Sequence, residues 1–180
     1  TGKTFGVNIL KRGLGIKEGV NLFSIDAAYN RYFNINKGWY GSVELWSRIK
    51  LPFNQPYINR RALGYGDLNL RGLEYYVIDG SVASMAKFTV RKKIFDFKIP
   101  FPIKNKIVPY IPFSFYAKAF GDAGYVYSQQ DARAMLNNKL LYTGGVGLDV
   151  ITLYDVTVRL DYSFNQLGEK GLFLHLTGGF

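Results

Sequence analysis

Apolar and polar residues alternate with a period of two through most of this chain. In residues 155–165, the even-numbered positions are apolar and the positions between them are polar or charged. Because successive side chains of a β-strand point to opposite faces, this pattern predicts a strand with one apolar face and one polar face. The apolar members are Val156, Val158, Leu160, Tyr162 and Phe164.

Seven further segments alternate in the same way, so the sequence predicts eight strands. They are residues 4–12, 22–33, 39–51, 82–92, 109–122, 141–150 and 172–180. Most of them reach or exceed the roughly 9–11 residues that a tilted strand needs to cross a bilayer. The pattern therefore fits strands that separate a lipid phase from a polar interior.

The last of these segments stops on an aromatic residue. A soluble sheet that ended in this way would present its last strand as an exposed edge, which soluble proteins avoid. In an outer-membrane barrel the last strand pairs with the first, and no edge remains. We therefore expect a terminal strand that forms a seam with residues 4–12. Its members are Leu172, Leu174, Leu176, Gly178, Gly179 and Phe180.

The predicted fold is all-β: a single domain, residues 1–180, forming a transmembrane antiparallel β-barrel of eight strands. A soluble barrel of the lipocalin type is the alternative, and it would bury its apolar face and expose its charged face. An even number of strands puts the tight connections on the periplasmic side and the long ones outside the cell. The long extracellular connections are residues 13–19, 52–80, 124–139 and 166–170, and residues 93–108 form one long periplasmic connection.

Composition narrows the possible functions. No run approaches the ~20 apolar residues of a membrane helix, whereas the 14 Tyr and 14 Phe suit the aromatic girdles of a barrel. The net charge of +10 is dispersed along the chain, which favours contact with anionic lipid or lipopolysaccharide over nucleic acid. The chain has no cysteine and one histidine, so we expect no metal, no cofactor and no catalytic residues, and we predict that it is not an enzyme.

Two short motifs lie between the predicted strands. The longest loop contains Leu-Arg-Gly-Leu at residues 70–73, and Phe-Gly-Asp-Ala-Gly at residues 120–124 ends a later strand. Together they resemble motifs of the BamA-type superfamily of bacterial outer-membrane barrels, which carries V/I-R-G-F/Y in its sixth extracellular loop and F-x-D-x-G on the strand pair that follows. The segments 70–91, 121–128 and 144–180 look most like versions from Bacteroidetes-type bacteria.

The resemblance implies roles for particular residues. In that superfamily the loop folds into the lumen and its arginine contacts the barrel wall. Arg71 would be this arginine, and Phe120 and Asp122 would form the receiving wall. A guanidinium removed from bulk water needs a carboxylate and further acceptors, and Asp122 shares a strand face with Phe120. The implied site is Leu70, Arg71, Gly72, Leu73, Phe120, Asp122 and Gly124.

The resemblance also implies localisation in the bacterial outer membrane and a role in outer-membrane protein insertion or polypeptide translocation. Its partners would be lipid, lipopolysaccharide, unfolded outer-membrane proteins and subunits of an assembly machine. Family members usually have sixteen strands and periplasmic client-binding domains, so this chain is either a minimal barrel or half of a larger one. In a closed eight-stranded barrel, Arg71 would stay near the mouth of the lumen. A closed barrel that serves as an anchor or as a unit of a homodimer is the alternative function.

Overall fold

The computed structural model of this protein describes residues 1–13, 21–100, 110–131, 133–152 and 156–177. Ten strands lie in this part of the chain, with one 3-10 turn at Tyr57–Asn59. None of the helical segments among these residues is long and apolar enough to cross a membrane. The strands are β1 (Gly2–Arg12), β2 (Leu22–Asn36), β3 (Trp39–Leu51), β4 (Arg61–Leu63), β5 (Ile78–Asp79), β6 (Val82–Pro100), β7 (Tyr110–Tyr127), β8 (Leu140–Ile151), β9 (Thr157–Asn165) and β10 (Lys170–Thr177).

Eight of the strands form one sheet in the order β1-β2-β3-β6-β7-β8-β9-β10, and every neighbouring pair is antiparallel. These strands correspond to the eight alternating segments, so the prediction of antiparallel β structure is confirmed. Three of the predicted extracellular loops, those that connect β3 to β6, β7 to β8 and β9 to β10, lie at one end of the sheet. The tight connection between β2 and β3 lies at the other end.

The turn between β2 and β3 shows how local sequence sets the register. Gly38 has a φ of +76°, a conformation that glycine adopts without steric cost. The backbone N–H of Lys37 donates to Oδ1 of Asn36 at 2.7 Å. With the turn fixed, the pairing of β2 with β3 places Asp26 directly opposite Arg48, and these two side chains form an ion pair.

The two faces of the sheet are exposed in the opposite sense to those of a soluble protein. In β9, Asp161 and Ser163 are 2% and 0% exposed, whereas Tyr162 and Phe164 are 46% and 53% exposed. β10 behaves similarly, because Leu174 is 66% exposed. We call these the polar face and the apolar face of the sheet. A lipocalin-type barrel would show the reverse, so the structure does not have the arrangement of the soluble alternative.

The prediction of eight strands was wrong, because the longest loop contains two strands of its own. β4 and β5 are short and pair only with each other, at Arg61 with Asp79 and Leu63 with Ile78. Three and two residues long, they are too short to show a readable alternation. The pairing of β4 with β5 brings together the two ends of the segment 64–77. This segment lies over the polar face of the main sheet.

The prediction of a closed barrel was also wrong. Among the described residues, β1 pairs only with β2 and β10 pairs only with β9, so the sheet has two open edges. The physical reason is the loop on the polar face. An eight-stranded barrel has room inside for little more than its own wall side chains, whereas this sheet also covers a packed segment of loop.

The hairpin of β6 and β7 is longer than its neighbours. β3 pairs with β6 only as far as Lys92, and β8 pairs with β7 only from Ser114. Beyond these limits, residues 97–100 of β6 pair only with residues 110–113 of β7, while Phe95 and Asp96 pair with Phe115 and Ser114, where the pairing with β8 ends. The described part of the predicted periplasmic connection, residues 93–100, therefore belongs to a two-stranded ribbon that projects from the tight-turn end of the sheet. Residues 101–109 lie outside the described part.

Candidate functional site: a loop held on the polar face

The long loop, residues 52–80, is fixed at its base by polar contacts to neighbouring segments. Nζ of Lys50 donates to the carbonyl oxygen of Asn59 at 2.7 Å, and Nη1 of Arg60 lies 2.7 Å from Oδ2 of Asp131. The hydroxyl of Tyr65 donates to Oδ1 of Asp79 at 2.7 Å. Burial, together with this hydrogen bond, raises the pKa of Tyr65 to about 12. The base of the loop is thus a structured unit rather than a free connection.

The Leu-Arg-Gly-Leu motif forms a tight turn at the tip of this loop. The N–H of Leu73 donates to the carbonyl oxygen of Leu70 at 3.0 Å, which closes a four-residue β-turn. Gly72 occupies the third position of the turn with a φ of +88°. A residue with a side chain is strained there, so the glycine of the motif is explained by the turn itself.

The turn places Arg71 against the wall formed by β6 and β7. Nε of Arg71 donates to Oδ2 of Asp122 at 2.9 Å, and Nη2 donates to the other carboxylate oxygen. The backbone N–H of Arg71 also donates to Oδ2 of Asp122, at 3.0 Å. Nη1 donates to the hydroxyl of Thr89 at 2.9 Å. The contact is a bidentate ion pair extended by further hydrogen bonds, the geometry that gives arginine its selectivity for carboxylates.

An aromatic ring completes the arginine site. The guanidinium carbon of Arg71 lies 4.1 Å from the centre of the Phe120 ring, which is a cation–π contact. Phe120 in turn lies over the backbone of β8, where a Cβ at Gly145 would come within 2.6 Å of the ring. Glycine in this strand thus reflects a close approach of the Phe120 ring to the sheet.

Arg71 lies well inside the sheet, not at its end. Its partner Thr89 is the eighth residue of β6, which begins at Val82 at the loop end. The expectation that Arg71 stays near a barrel mouth applied to a closed eight-stranded barrel, a condition that this sheet does not meet. That expectation depended on a closed eight-stranded wall, and an open sheet leaves room for the loop to reach this depth.

The two leucines of the motif bury themselves in an apolar cluster. Leu70 and Leu73 are 2% and 3% exposed. A Cβ on Gly124 would lie 2.9 Å from Cδ1 of Leu70, so the glycine that ends the second motif provides the space for the first. The cluster comprises Ala62, Leu63, Leu70, Leu73, Ile78, Ala83, Val126, Leu136 and Leu141.

Gly72 contacts the opposite part of the wall. Nδ2 of Asn165 donates to its carbonyl oxygen at 2.8 Å, and a Cβ on Gly72 would lie 3.0 Å from Oγ of Ser163. Asn165 also binds Oε2 of Glu169 at 2.9 Å. The turn is therefore held between β7 on one side and β9 on the other.

Replacing Gly72 with alanine is expected to lower the free energy of unfolding by about 1–2 kcal/mol, because alanine is strained at positive φ. The Cβ would also crowd Ser163. Gly121 is the matched control. Its φ is not positive, and a Cβ there would lie 3.8 Å from its nearest neighbour. Urea unfolding in detergent would measure both variants, and an equal effect of G72A and G121A would contradict this explanation.

Two residues that follow the motif reach the last strand. Oε2 of Glu74 lies 2.8 Å from Nε2 of His175, and the ring of Tyr75 lies 5.5 Å from that of Phe173. The sequence did not single out Glu74, because no period or motif pairs it with a residue 101 positions away. The loop therefore contacts β6, β7, β9 and the edge strand β10.

A second group of buried charges lies beside the arginine site. Nζ of Lys118 is 2.6 Å from Oδ1 of Asp149 and 2.8 Å from Oδ1 of Asp161. Nε of Arg91 lies 3.1 Å from the other oxygen of Asp149. These side chains come from four adjacent strands and neutralise one another, as expected for mixed charges on a polar face.

The structure brings together all seven residues of the predicted loop site. The C-terminal residues are placed only in part: Leu172, Leu174 and Leu176 lie on the apolar face of β10 and are 66%, 66% and 73% exposed. Gly178, Gly179 and Phe180 lie outside the described residues.

Comparison of this chain with protein-family models, with curated proteins and with solved structures finds no match. The link to the BamA-type superfamily thus stays a prediction from the two motifs. The structure shows in addition that the two motifs are in contact, because the loop arginine Arg71 pairs with the buried carboxylate of Asp122.

Proposed function

We propose that this chain forms part of an outer-membrane β-barrel of the BamA superfamily, and that it acts in outer-membrane protein insertion or polypeptide translocation. The observation that carries the proposal is the combination of an inverted sheet with a loop arginine bound on its polar face. The BamA-type motifs call for such a loop, and the contact of Arg71 with Asp122 joins two motifs that are 51 residues apart.

The dimensions of the apolar face support a membrane position. On β7, the row of residues on the apolar face runs from Phe115 to Tyr125 through small residues, a distance of roughly 34 Å at ~3.4 Å per residue. At the ~35–45° tilt usual in such barrels, this gives a height of roughly 25 Å, which matches their apolar band. Exposed aromatic residues flank the band at both ends, as in the girdles of such barrels. They include Phe33 and Trp39 at the tight-turn end and Tyr125, Tyr127 and Tyr142 at the loop end.

The open edges support a barrel with more than eight strands. In lipid, an unpaired edge leaves backbone N–H and C=O groups without partners, at a cost of several kcal/mol for each group. The edge strands β1 and β10 therefore need additional strands, from a longer chain or from a second copy. A wider barrel would also have room for the loop that lies on the polar face.

The edge of β1 supports a role in insertion. Apart from Leu10, β1 is exposed along its length, and Phe5 is 73% exposed. An open edge of this kind can accept an incoming strand by backbone pairing, which is how β-augmentation works. A client strand would pair with β1 before it leaves to close its own barrel.

A photo-crosslinking experiment tests this role. A photoreactive residue at Phe5 on β1 is compared with one at Tyr29, its cross-strand partner on β2. During insertion of a small unfolded outer-membrane protein into vesicles, we expect adducts with that client at position 5 and far fewer at position 29. Equal yields at both positions, or none, would contradict insertion at this edge.

The rival function is structural, and the two open edges also favour it. If β1 and β10 pair permanently with strands of a second copy, the sheet serves as a dimerisation or anchoring unit and inserts nothing. In the same experiment, position 5 would then crosslink to another copy of this chain. Adducts with the client would be missing.

A further inference from the structure

The projecting ribbon, residues 95–100 paired with 110–115, has two unlike faces. Its four phenylalanines stack on one side: Phe95 lies 4.6 Å from Phe115, and Phe97 lies 5.2 Å from Phe113, measured between ring centres. Ile99, opposite Ile111, extends the same row. Phe95, Phe97 and Ile99 are 50%, 40% and 44% exposed. Nothing in the described structure covers this aromatic surface.

The opposite side of the ribbon is polar. The hydroxyl of Ser114 donates to Oδ1 of Asp96 at 2.9 Å, and Nζ of Lys93 lies 2.8 Å from Oδ2 of Asp96. Lys98 lies opposite Pro112 on this side. The ribbon is therefore amphipathic, and its polar side is already organised without a partner.

An irregularity at the root of the ribbon creates this division. Lys93 pairs with Tyr116, but the next pair is Phe95 with Phe115, so Ile94 is an extra residue in β6. Such a β-bulge shifts the phase of a strand by one position and bends it. Without it, Phe95 and Phe97 would point to the polar face. The bulge aligns them with Phe115, which belongs to the apolar face of the sheet.

We propose that the ribbon lies in the lipid interface at the tight-turn end of the sheet, with its aromatic side in the membrane and anionic phospholipid headgroups around its lysines. This proposal rests on the proposed membrane position of the sheet. It assigns the ribbon to lipid because its aromatic surface continues the apolar face without a break, from Phe115 to Phe113 and Ile111.

Residue chemistry supports lipid over a protein partner. Amphipathic segments with lysines on one face and phenylalanines on the other are typical of membrane interfaces, where the apolar face lies at the boundary of headgroups and acyl chains. At the root of the ribbon, Nζ of Lys92 lies 5.2 Å from the Trp39 ring centre, within the aromatic belt. The residues 92–100 carry three lysines and one aspartate, so the ribbon attracts an anionic surface.

Fluorescence quenching by brominated lipids tests this inference. The background is the full protein with Trp39 and Trp46 changed to phenylalanine, in vesicles of phosphatidylethanolamine and phosphatidylglycerol. The reporter is Phe97→Trp, on the aromatic side of the ribbon. Pro112→Trp, at the same level on its polar side, is the matched control, and Leu160→Trp on β9 reports on the sheet itself.

We expect F97W to be quenched most by bromines near the headgroups, L160W most by bromines deep in the acyl chains, and P112W by neither. Replacing phosphatidylglycerol with phosphatidylcholine should reduce the quenching of F97W and leave that of L160W unchanged. Quenching of L160W without that of F97W would overturn the ribbon inference and leave the sheet in the membrane. Absence of quenching in both would overturn the membrane position as well.

Discussion

Replacing Arg71 with alanine is expected to give the largest loss of stability of any single change in the loop. The Asp122 side chain is fully buried and Arg71 supplies its bidentate partner. Removing one partner of a buried ion pair leaves an uncompensated charge and typically costs about 3–5 kcal/mol. The change should also loosen residues 64–77 on the polar face, because the side-chain bonds of Arg71 to Asp122 and Thr89 are lost and only its backbone N–H still binds the carboxylate.

Urea unfolding in detergent and limited proteolysis would measure the two effects of R71A. Arg133, an exposed arginine in the connection between β7 and β8, is the matched control, and R133A should change neither. The double variant R71M/D122L should be more stable than R71A, because both charges are then absent. If R71A unfolds at the same urea concentration as the unchanged protein, the loop is not held by this pair.

Replacing Lys118 with methionine is expected to have an effect of similar size on the sheet itself. Lys118 is the only cation within 4 Å of Asp161 among the described residues, and it also contacts Asp149. Methionine preserves most of the side-chain volume but leaves Asp161 buried without a counter-charge. The expected loss in the free energy of unfolding is about 3–5 kcal/mol.

The double variant K118M/D161N separates charge from packing. With lysine absent, Asp161 is an uncompensated buried charge, so replacing it with asparagine should recover part of the deficit of K118M. Lys139, which is exposed beside β8, provides the control K139M. A double variant no more stable than K118M would indicate a loss of packing only.

Much of the sheet could be predicted because the local sequence of each strand alternates between apolar and polar residues. The two-residue period of residues 155–165 depends only on which side chains meet a polar or an apolar environment, and the structure has a strand there. The inverted exposure could also be anticipated, since charged residues alternate within the same strands. Localisation, clients and membrane insertion depend on surroundings that no local pattern describes, and they stay predictions.

The errors came from features that no local pattern encodes. The β-bulge at Ile94 breaks the period of β6, so the sequence interpretation ended that strand at residue 92 while the structure continues it to Pro100. Closure of the barrel depends on the volume of the loop on the polar face, which is a tertiary quantity. β4 and β5 are held by pairing across the loop and not by their own sequence.

The residues of the candidate site could be predicted where they belong to one of the two sequence motifs. Leu-Arg-Gly-Leu and Phe-Gly-Asp-Ala-Gly pointed to Arg71, Phe120 and Asp122, and these residues meet in the structure. The contacts of Glu74 with His175 and of Tyr75 with Phe173 had no such signal. They depend on how far the turn reaches across the sheet, which follows from the geometry of the loop base.

The most direct test of the central claim is a scan of solvent and oxygen accessibility along β9 in lipid vesicles, with a spin label at each position in turn. The strand alternates cleanly from Leu160 to Asn165: Leu160, Tyr162 and Phe164 are exposed, whereas Asp161, Ser163 and Asn165 are buried. A lipid-facing sheet predicts high oxygen accessibility and low access for a polar nickel reagent at 158, 160, 162 and 164, with low oxygen accessibility at the positions between them. High access for the nickel reagent at those four positions would show that the apolar face meets water, and would contradict a place in the membrane.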